Sequence, residues 1–242
     1  MNSARGAADT MSPTGRPPSL RSSLIRYCVM GLVLASVLRL VSGRADWLRA
    51  WFYVALTLGI QVVVGVVLHR VSPDLLAERS RIRKGTKPWD KVLVPVVAIV
   101  GPLAIWCVAA WDVRVHWPPA VSIGWSAAAF AVCTLGSLVT FWAMVTNPFF
   151  SATVRIQEER GHRVIDGGPY RYVRHPGYCG ALAFTIASPV ALGSWLAVIP
   201  AAFTAAVLVI RTSLEDRTLR AELEGYREYA QRVPSRLVPV LW

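Results

Sequence analysis

Basic, imidazole and proline residues cluster directly before a long apolar run in the C-terminal half of the chain. In GPYRYVRHPGYCG, residues 168–180, His175 is followed by Pro176. Proline suits the first turn of a helix because its missing N–H would be unsatisfied there, so His175 is expected at a helix N-terminus. A neutral imidazole at such an end can both donate and accept hydrogen bonds, which makes His175 a candidate functional residue. Arg171 and Arg174 could anchor anionic lipid headgroups, and we prefer that interpretation for Arg171.

A second stretch, residues 211–233, combines charged and apolar residues at helical spacing. The apolar positions predict one amphipathic helix that lies against the membrane or the helix bundle, and they are Leu219, Leu223, Tyr226, Ala230 and Val233. Glu215 falls on the same inward stripe, where a carboxylate is costly unless a partner compensates it. Arg211, one turn earlier, could form a simple i, i+4 salt bridge with Glu215. Asp216 is expected on the polar side of this helix.

The composition indicates a chain that folds in a lipid bilayer. Of 242 residues, 54% are hydrophobic and 17% are charged, which lies outside the ordinary range of soluble proteins. The net charge is +12, but the 26 Lys and Arg residues form blocks between apolar stretches, so a membrane surface rather than nucleic acid is the expected partner. The four cysteines have neither CxxC spacing nor Cys/His spacing suited to a metal, so we expect packing cysteines and no metal site.

Apolar runs of membrane-spanning length organise the chain. The first four cover residues 24–42, 48–69, 92–111 and 121–146, and a bilayer core requires roughly 20 helical residues. A fifth run, residues 178–210, is interrupted by Pro189, Gly193 and Ser194, which predicts a helical hairpin of two arms. The expected fold is therefore an all-α integral membrane protein with about six membrane segments, namely four spans plus the hairpin, and a C-terminal cytoplasmic amphipathic helix.

The distribution of basic residues predicts the orientation. With both termini in the cytoplasm, 22 of the 26 Lys and Arg residues lie on the cytoplasmic side, in agreement with the positive-inside rule. We therefore expect a multi-pass protein of a bacterial inner membrane, whose hairpin brings residues 168–180 and 211–233 to one membrane face. The expected organisation is a disordered tail at residues 1–23, a four-helix transmembrane region at residues 24–146 and a C-terminal functional region at residues 147–242.

The loop between the fourth span and the hairpin, residues 145–164, is the least regular part of this C-terminal region. Asn147-Pro148 ends a helix, and the two phenylalanines that follow suit a membrane interface. The loop could line an entrance for a lipophilic ligand or merely anchor itself at the interface, and we favour anchoring. The spacing of Gln157 and His162 does not distinguish them from solvated residues.

The order of these features resembles the isoprenylcysteine carboxyl methyltransferase family and its phospholipid methyltransferase relatives. The shared pattern is a Gly-Pro-Tyr turn, Arg-His-Pro-x-Tyr-x-Gly at residues 174–180, an apolar hairpin, Arg-x-x-x-Glu-Asp at residues 211–216, Gly-Tyr-x-x-Tyr at residues 225–229, and Pro239. The resemblance covers about residues 147–242. It implies a multi-span protein that transfers a methyl group from S-adenosylmethionine, bound in a pocket facing the cytosol.

The resemblance also implies roles for individual residues. Its cofactor contacts carry over to His175, Pro176, Tyr178, Gly180, Glu215, Asp216 and Tyr226, and its catalytic groups to Arg174 and His175. Asp216 departs from the pattern, since the family usually has Glu at this position. A cofactor that bears a sulfonium, an ammonium and a carboxylate needs acids, a cation or helix N-terminus, and aromatic faces, and these residue types supply them.

The expected methyl acceptor is lipophilic, because a site enclosed by membrane spans is reached most easily through the bilayer. A carboxylate acceptor needs no general base, and an arginine could hold its oxygen, so we favour carboxyl O-methylation of an isoprenoid-type or prenylcysteine-like acceptor. Phospholipid N-methylation and small-thiol S-methylation on the same scaffold stay open, as does a non-catalytic membrane protein. A transporter is disfavoured, because no sequence repeat is evident and Arg39 is the only charged residue well inside a span.

Overall fold

All regular structure in the described part of the chain is helical. The computed structural model describes residues 19–79 and 84–238. The helices are α1 Leu20–Ser42, α2 Leu48–Val71, α3 Pro73–Arg79, α4 Pro88–Pro95, α5 Gly101–Val115, α6 Ile123–Thr146, α7 Pro176–Leu192, α8 Val198–Glu222 and α9 Tyr226–Arg232. A π-helical turn, Val96–Val100, joins α4 to α5, and short 3-10 turns occupy Glu158–Arg160 and Gly168–Arg171.

Five of the described helical segments are long and apolar enough to cross a membrane. They are α1, α2, the continuous segment Pro88–Val115, α6 and α8. The sixth apolar helix, α7, has 17 residues and forms a hairpin with α8. The prediction of an all-α integral membrane protein is therefore confirmed. Helix α1 begins at Leu20, earlier than expected; residues 1–18 of the predicted tail, and Pro239, lie outside the described residues.

Helices α6 and α7 approach each other closely because glycine faces glycine at their crossing. A Cβ added at Gly180 would lie 2.2 Å from the carbonyl oxygen of Gly136, so neither position has room for a side chain. The Thr140 hydroxyl lies at the same crossing and contacts the carbonyl oxygen of Gly177 at 3.2 Å. Backbone proximity of this kind is typical of helices packed in membranes, where small residues let dispersion contacts accumulate.

The turn of the hairpin coincides with the interruption seen in the sequence. Helix α7 ends at Leu192, and Gly193 follows with φ 91°, a left-handed conformation that glycine adopts without steric penalty. Ser194 then accepts a hydrogen bond from the backbone N–H of Ala197 and donates one to Asp112 at 2.5 Å. The predicted break at Gly193 and Ser194 is confirmed, whereas Pro189 lies within α7.

The predicted amphipathic helix at residues 211–233 is not a single helix. Its first half continues α8 without a break from the membrane, and its second half is the separate helix α9. Leu223 is extended and Gly225 has φ 74°, so the chain turns between the two helices. The apolar stripe nevertheless forms one cluster, because the turn folds α9 back and directs Leu223, Tyr226 and Val233 toward the same interior.

Candidate functional site

The hairpin topology brings several helix ends to one end of the molecule, where a cavity of about 320 Å³ opens. Because successive membrane helices run in opposite directions, the C-terminal ends of α2, α6 and α8 lie at this end of the molecule, together with the N-terminal ends of α4 and α7. A salt bridge of 2.6 Å between Lys87 and Glu222 joins two of these ends. Side chains from α3, α7, α8, α9 and the loop after α6 line the cavity. A volume of this size is typical of sites for small molecules.

Asp216 is the hub of a buried network beside this cavity. Its carboxylate is fully buried and accepts hydrogen bonds from Arg174 Nε at 2.7 Å and from the Tyr226 hydroxyl at 3.1 Å. Arg220 and Arg236 donate to its other oxygen at 3.0 and 3.1 Å. The expectation that Asp216 lies on the polar side of its helix is therefore wrong. The face that sequence periodicity marks as polar is covered by α9 and by the chain after it.

Burial raises the pKa of the Tyr226 hydroxyl far above its usual value, and the negative charge of Asp216 raises it further. The hydroxyl therefore stays protonated at neutral pH and can donate to Asp216. This interaction joins α9 to α8.

His175 is the residue that precedes α7, as the sequence indicates. It is buried, and its Nε2 lies 3.4 Å from both Asp216 Oδ1 and the Tyr226 hydroxyl. The backbone N–H groups of Arg174 and His175 donate to the carbonyl oxygens of Ser235 and Arg236, each at 3.0 Å. The segment after α9 therefore lies over the start of α7 and shields the imidazole from solvent.

Glu215 extends from α8 toward α7, where the Tyr178 hydroxyl donates to Oε2 through a short hydrogen bond. The alternative of an Arg211–Glu215 salt bridge is wrong for the described structure. Arg211 instead forms a buried ion pair with Asp90 of α4, with Nε 2.7 Å from Oδ1. Its guanidinium lies 5.1 Å from the centre of the Tyr178 ring. Among the described residues, Glu215 thus forms no salt bridge with an arginine, and it borders the cavity.

Asp90 is a buried neighbour of the cavity-lining residue Arg211 that the sequence reasoning missed. It is fully buried, and besides Arg211 it accepts a hydrogen bond of 2.6 Å from the backbone N–H of Val154. It thereby fixes the loop after α6 against α4 and α8. A carboxylate in the first turn of an otherwise apolar span was the available signal, because such an acid at a buried helix end requires a specific partner.

The loop after α6 lines the cavity, so the interpretation of this loop as a mere anchor is wrong. Phe149, Phe150, Gln157 and His162 all contribute to the lining. Gln157 is 1% exposed and donates from Nε2 to the carbonyl oxygen of Phe149 at 2.8 Å, so it is not the solvated residue that was expected. An irregular loop has no periodicity, and for this reason the sequence carried no signal for its inward side chains.

His162 is held neutral in this loop. Burial, together with the charges of Arg155 and Arg160, lowers its pKa to about 4. Its Nδ1 accepts the backbone N–H of Gln157 at 3.3 Å, which requires an unprotonated nitrogen. The Phe149 ring lies against the imidazole, with 4.7 Å between ring centres.

The structure brings together most, but not all, of the residues singled out from the sequence. The cavity is lined by Arg174, His175, Tyr178, Glu215 and Tyr226. The other three lie behind this lining: Pro176 in the first turn of α7, Gly180 against α6, and Asp216 at the centre of the network. Within residues 19–79 and 84–238, no group of three or more His, Cys, Asp or Glu side chains could hold a metal ion.

Comparison with known proteins identifies the region that carries the cavity. Residues 128–221 match the isoprenylcysteine carboxyl methyltransferase (ICMT) family. The protein-S-isoprenylcysteine O-methyltransferase of Rattus norvegicus is 24% identical over 231 residues, which cover 92% of this chain and 76% of the rat protein.

Two plant relatives match a shorter region. The probable protein-S-isoprenylcysteine O-methyltransferase of Oryza sativa subsp. indica is 35% identical over 108 residues, and protein-S-isoprenylcysteine O-methyltransferase B of Arabidopsis thaliana is 32% identical over 106 residues. These matches cover 43% and 42% of this chain and span about half of each relative, 56% and 53%. Residues 128–221, which include α7 and most of α8, are thus similar to the ICMT family.

Proposed function

We propose that this protein is an integral membrane methyltransferase that transfers a methyl group from S-adenosylmethionine to the carboxylate of a lipophilic, prenylcysteine-like acceptor. The observation that carries the proposal is the convergence of His175, Tyr178, Glu215 and Tyr226 on one cavity, from both ends of an apolar hairpin. The relatives named above, which are isoprenylcysteine O-methyltransferases, support the same chemistry.

The cavity suits the proposed methyl donor in size and in chemistry. Its volume of about 320 Å³ lies within the range of roughly 300 to 1,000 Å³ that small-molecule sites occupy. The rings of Tyr178 and Tyr226 offer electron-rich faces to a cation or an adenine, and Glu215 offers a carboxylate to an ammonium or hydroxyl. When bound, the donor supplies a methyl group bonded to a positively charged sulfur.

Arg174 acts in this proposal as a positioning residue. Its side chain is 1% exposed and donates from Nε and Nη2 to Asp216, and from Nη1 to the carbonyl oxygens of Val233 and Pro234. These bonds use four of its N–H groups. Arg174 therefore fixes the segment after α9 over the start of α7, and His175 borders the cavity in the orientation that this network imposes.

The rest of the cavity excludes water and orients the acceptor. Apolar side chains of Val97, Ala98, Leu208 and Leu219 contribute to the lining, which suits a lipophilic acceptor next to a charged group. Desolvation favours displacement between a carboxylate and a cationic donor, because both charges are dispersed in the transition state and water stabilises the charged reactants more. A carboxylate acceptor requires no proton transfer, so the chain needs no general base.

The orientation in the membrane follows from the same proposal. In the predicted topology, 22 of the 26 Lys and Arg residues lie on the same side of the membrane as the segments that line the cavity, which supports a site and termini that face the cytoplasm of a bacterial inner membrane. A reporter fused after Trp242 is expected in the cytoplasm, and a reporter inserted at Gly193 on the opposite side. A C-terminal reporter on the outer side would contradict this orientation.

The test of the function uses the purified full-length protein in detergent. We expect S-adenosylmethionine to bind in calorimetry, and label from its methyl group to appear on an N-acetylated prenylcysteine but not on the corresponding carboxamide. Label on phosphatidylethanolamine or on a small thiol instead would replace the proposed acceptor. A folded, monodisperse protein that binds no S-adenosylmethionine would refute the proposal.

A further inference from the structure

Arg79 differs from the buried arginines around the cavity. It is the last residue of α3, is half-buried and contributes to the cavity lining. The helix that carries it is fixed, because Leu75 packs with Leu68 and Met144 in a small apolar cluster. The position of Arg79 at the cavity wall is therefore set by the packing of α2, α3 and α6.

The buried arginines around the cavity have carboxylate partners within the protein. Arg174 pairs with Asp216 at 2.7 Å, Arg211 pairs with Asp90 at 2.7 Å, and Arg155 pairs with both Glu78 and Glu159. A carboxylate in each case compensates the desolvation of the cation. These arginines consequently have little capacity left for a ligand.

Arg79 has no such compensation among the described residues. Its polar contact is a hydrogen bond from Nη1 to the carbonyl oxygen of Phe150 at 3.5 Å, the long limit for such a bond. Its guanidinium also lies 5.2 Å from the centre of the Phe150 ring. Burial lowers the pKa of Arg79, which reflects the cost of desolvating its charge. The ring of Phe150 is held in place in turn, because it packs over Gly177, where a Cβ would lie 2.4 Å from it.

We propose that Arg79 binds the carboxylate of a ligand in this cavity. A guanidinium presents paired N–H donors that match the two oxygens of a carboxylate, and an anion would compensate a charge that has no counter-ion among the described residues. The inference rests on the proposed function, in which both ligands contain a carboxylate: the methionine end of the donor and the reacting group of the acceptor. Arg79 is thus a specificity residue for an acid over a neutral or cationic ligand.

The test compares each carboxylate ligand with a counterpart that lacks the carboxylate. The donor pair is S-adenosylmethionine and its decarboxylated form, and the acceptor pair is an N-acetylated prenylcysteine and its carboxamide. Binding is measured by calorimetry on the wild type, Arg79→Gln and Arg79→Lys. The matched control is Arg70→Gln, which removes the same charge from an exposed residue nearby in the chain and outside the cavity lining.

We expect Arg79→Gln to weaken binding of one carboxylate ligand by about tenfold or more and to leave its counterpart unchanged. The ligand affected identifies the source of the carboxylate. Arg79→Lys should retain part of the affinity, because it keeps the charge but loses the paired donors, and Arg70→Gln should change nothing. Unchanged affinity of Arg79→Gln for both acids, or an equal loss for an acid and its counterpart, overturns the inference.

The two proposals fail in different ways. A wild type that binds an acid through Arg79 but transfers no methyl group refutes the proposed function and leaves the carboxylate site in place. If the wild type transfers methyl groups, and Arg79→Gln has the same rate and the same affinities for the ligands, the carboxylate site alone is refuted. A wild type that binds neither pair refutes both.

Discussion

Replacing Asp216 by asparagine tests the buried network directly. The carboxylate is fully buried, and the Arg174 side chain that pairs with it is 1% exposed, so Asp216→Asn leaves a buried cation without a counter-ion. Removing one partner of a buried pair costs about 3 to 5 kcal/mol, whereas the more exposed Arg220 and Arg236 contribute little. At about 2 to 4 °C per kcal/mol for a chain of this size, the Tm should fall by about 6 to 20 °C.

Thermal unfolding in detergent, followed by the fluorescence of the ten tryptophans, measures this change. The matched control is Asp46→Asn, which removes a carboxylate from an exposed ion pair with Arg44 at 2.7 Å. This control should leave the Tm unchanged, because water screens and replaces an exposed pair. If Asp216→Asn is folded and has the same Tm as Asp46→Asn, the argument that Asp216 holds the network is refuted.

The remaining predictions concern binding, packing and pH. His175→Ala and Glu215→Gln should each weaken S-adenosylmethionine binding about tenfold or more in calorimetry, and unchanged affinity in both would remove these residues from the donor site. Gly180→Ala should lower the Tm strongly, because its Cβ would meet the backbone of α6, whereas Gly59→Ala, which has open space, should be tolerated; equal melting would contradict the close crossing. His162 has a pKa of about 4 in the fold against an ordinary 6.5, so the unfolded chain binds more protons between these values. The contribution of neutral His162 to stability should therefore be complete above pH 6.5 and be lost as the pH falls toward 4. The Tm of His162→Gln should fall less over this pH range than that of the wild type, and an equal fall in both would contradict the prediction.

Much of the membrane architecture was predictable from local sequence. A bilayer core demands about 20 consecutive helical residues without uncompensated charge, and this requirement is visible in any stretch by itself. The break at Gly193 and the placement of His175 before α7 are equally local, since each depends on the backbone preferences of one or two residues. The prediction of α7 and α8 as a hairpin succeeded for the same reason.

The cavity wall was less predictable, because its residues come from segments without periodicity. Arg79, Gln157 and His162 lie in short helices or loops, and their burial depends on segments distant in the chain. Asp90 has its ion-pair partner, Arg211, more than a hundred residues away. No spacing rule connects such pairs before the helices are packed.

The sequence by itself determined that this protein folds in a lipid bilayer. It also determined the apolar helices, the hairpin turn and the residue types available for chemistry. Only the tertiary structure decided which face of α8 is buried. Helical periodicity placed Glu215 inward and Asp216 outward, and the turn at Gly225 reversed the second assignment by folding α9 and the segment after it over Asp216. Burial is a property of what covers a residue, and here the cover comes from a later part of the chain through contacts that periodicity does not encode.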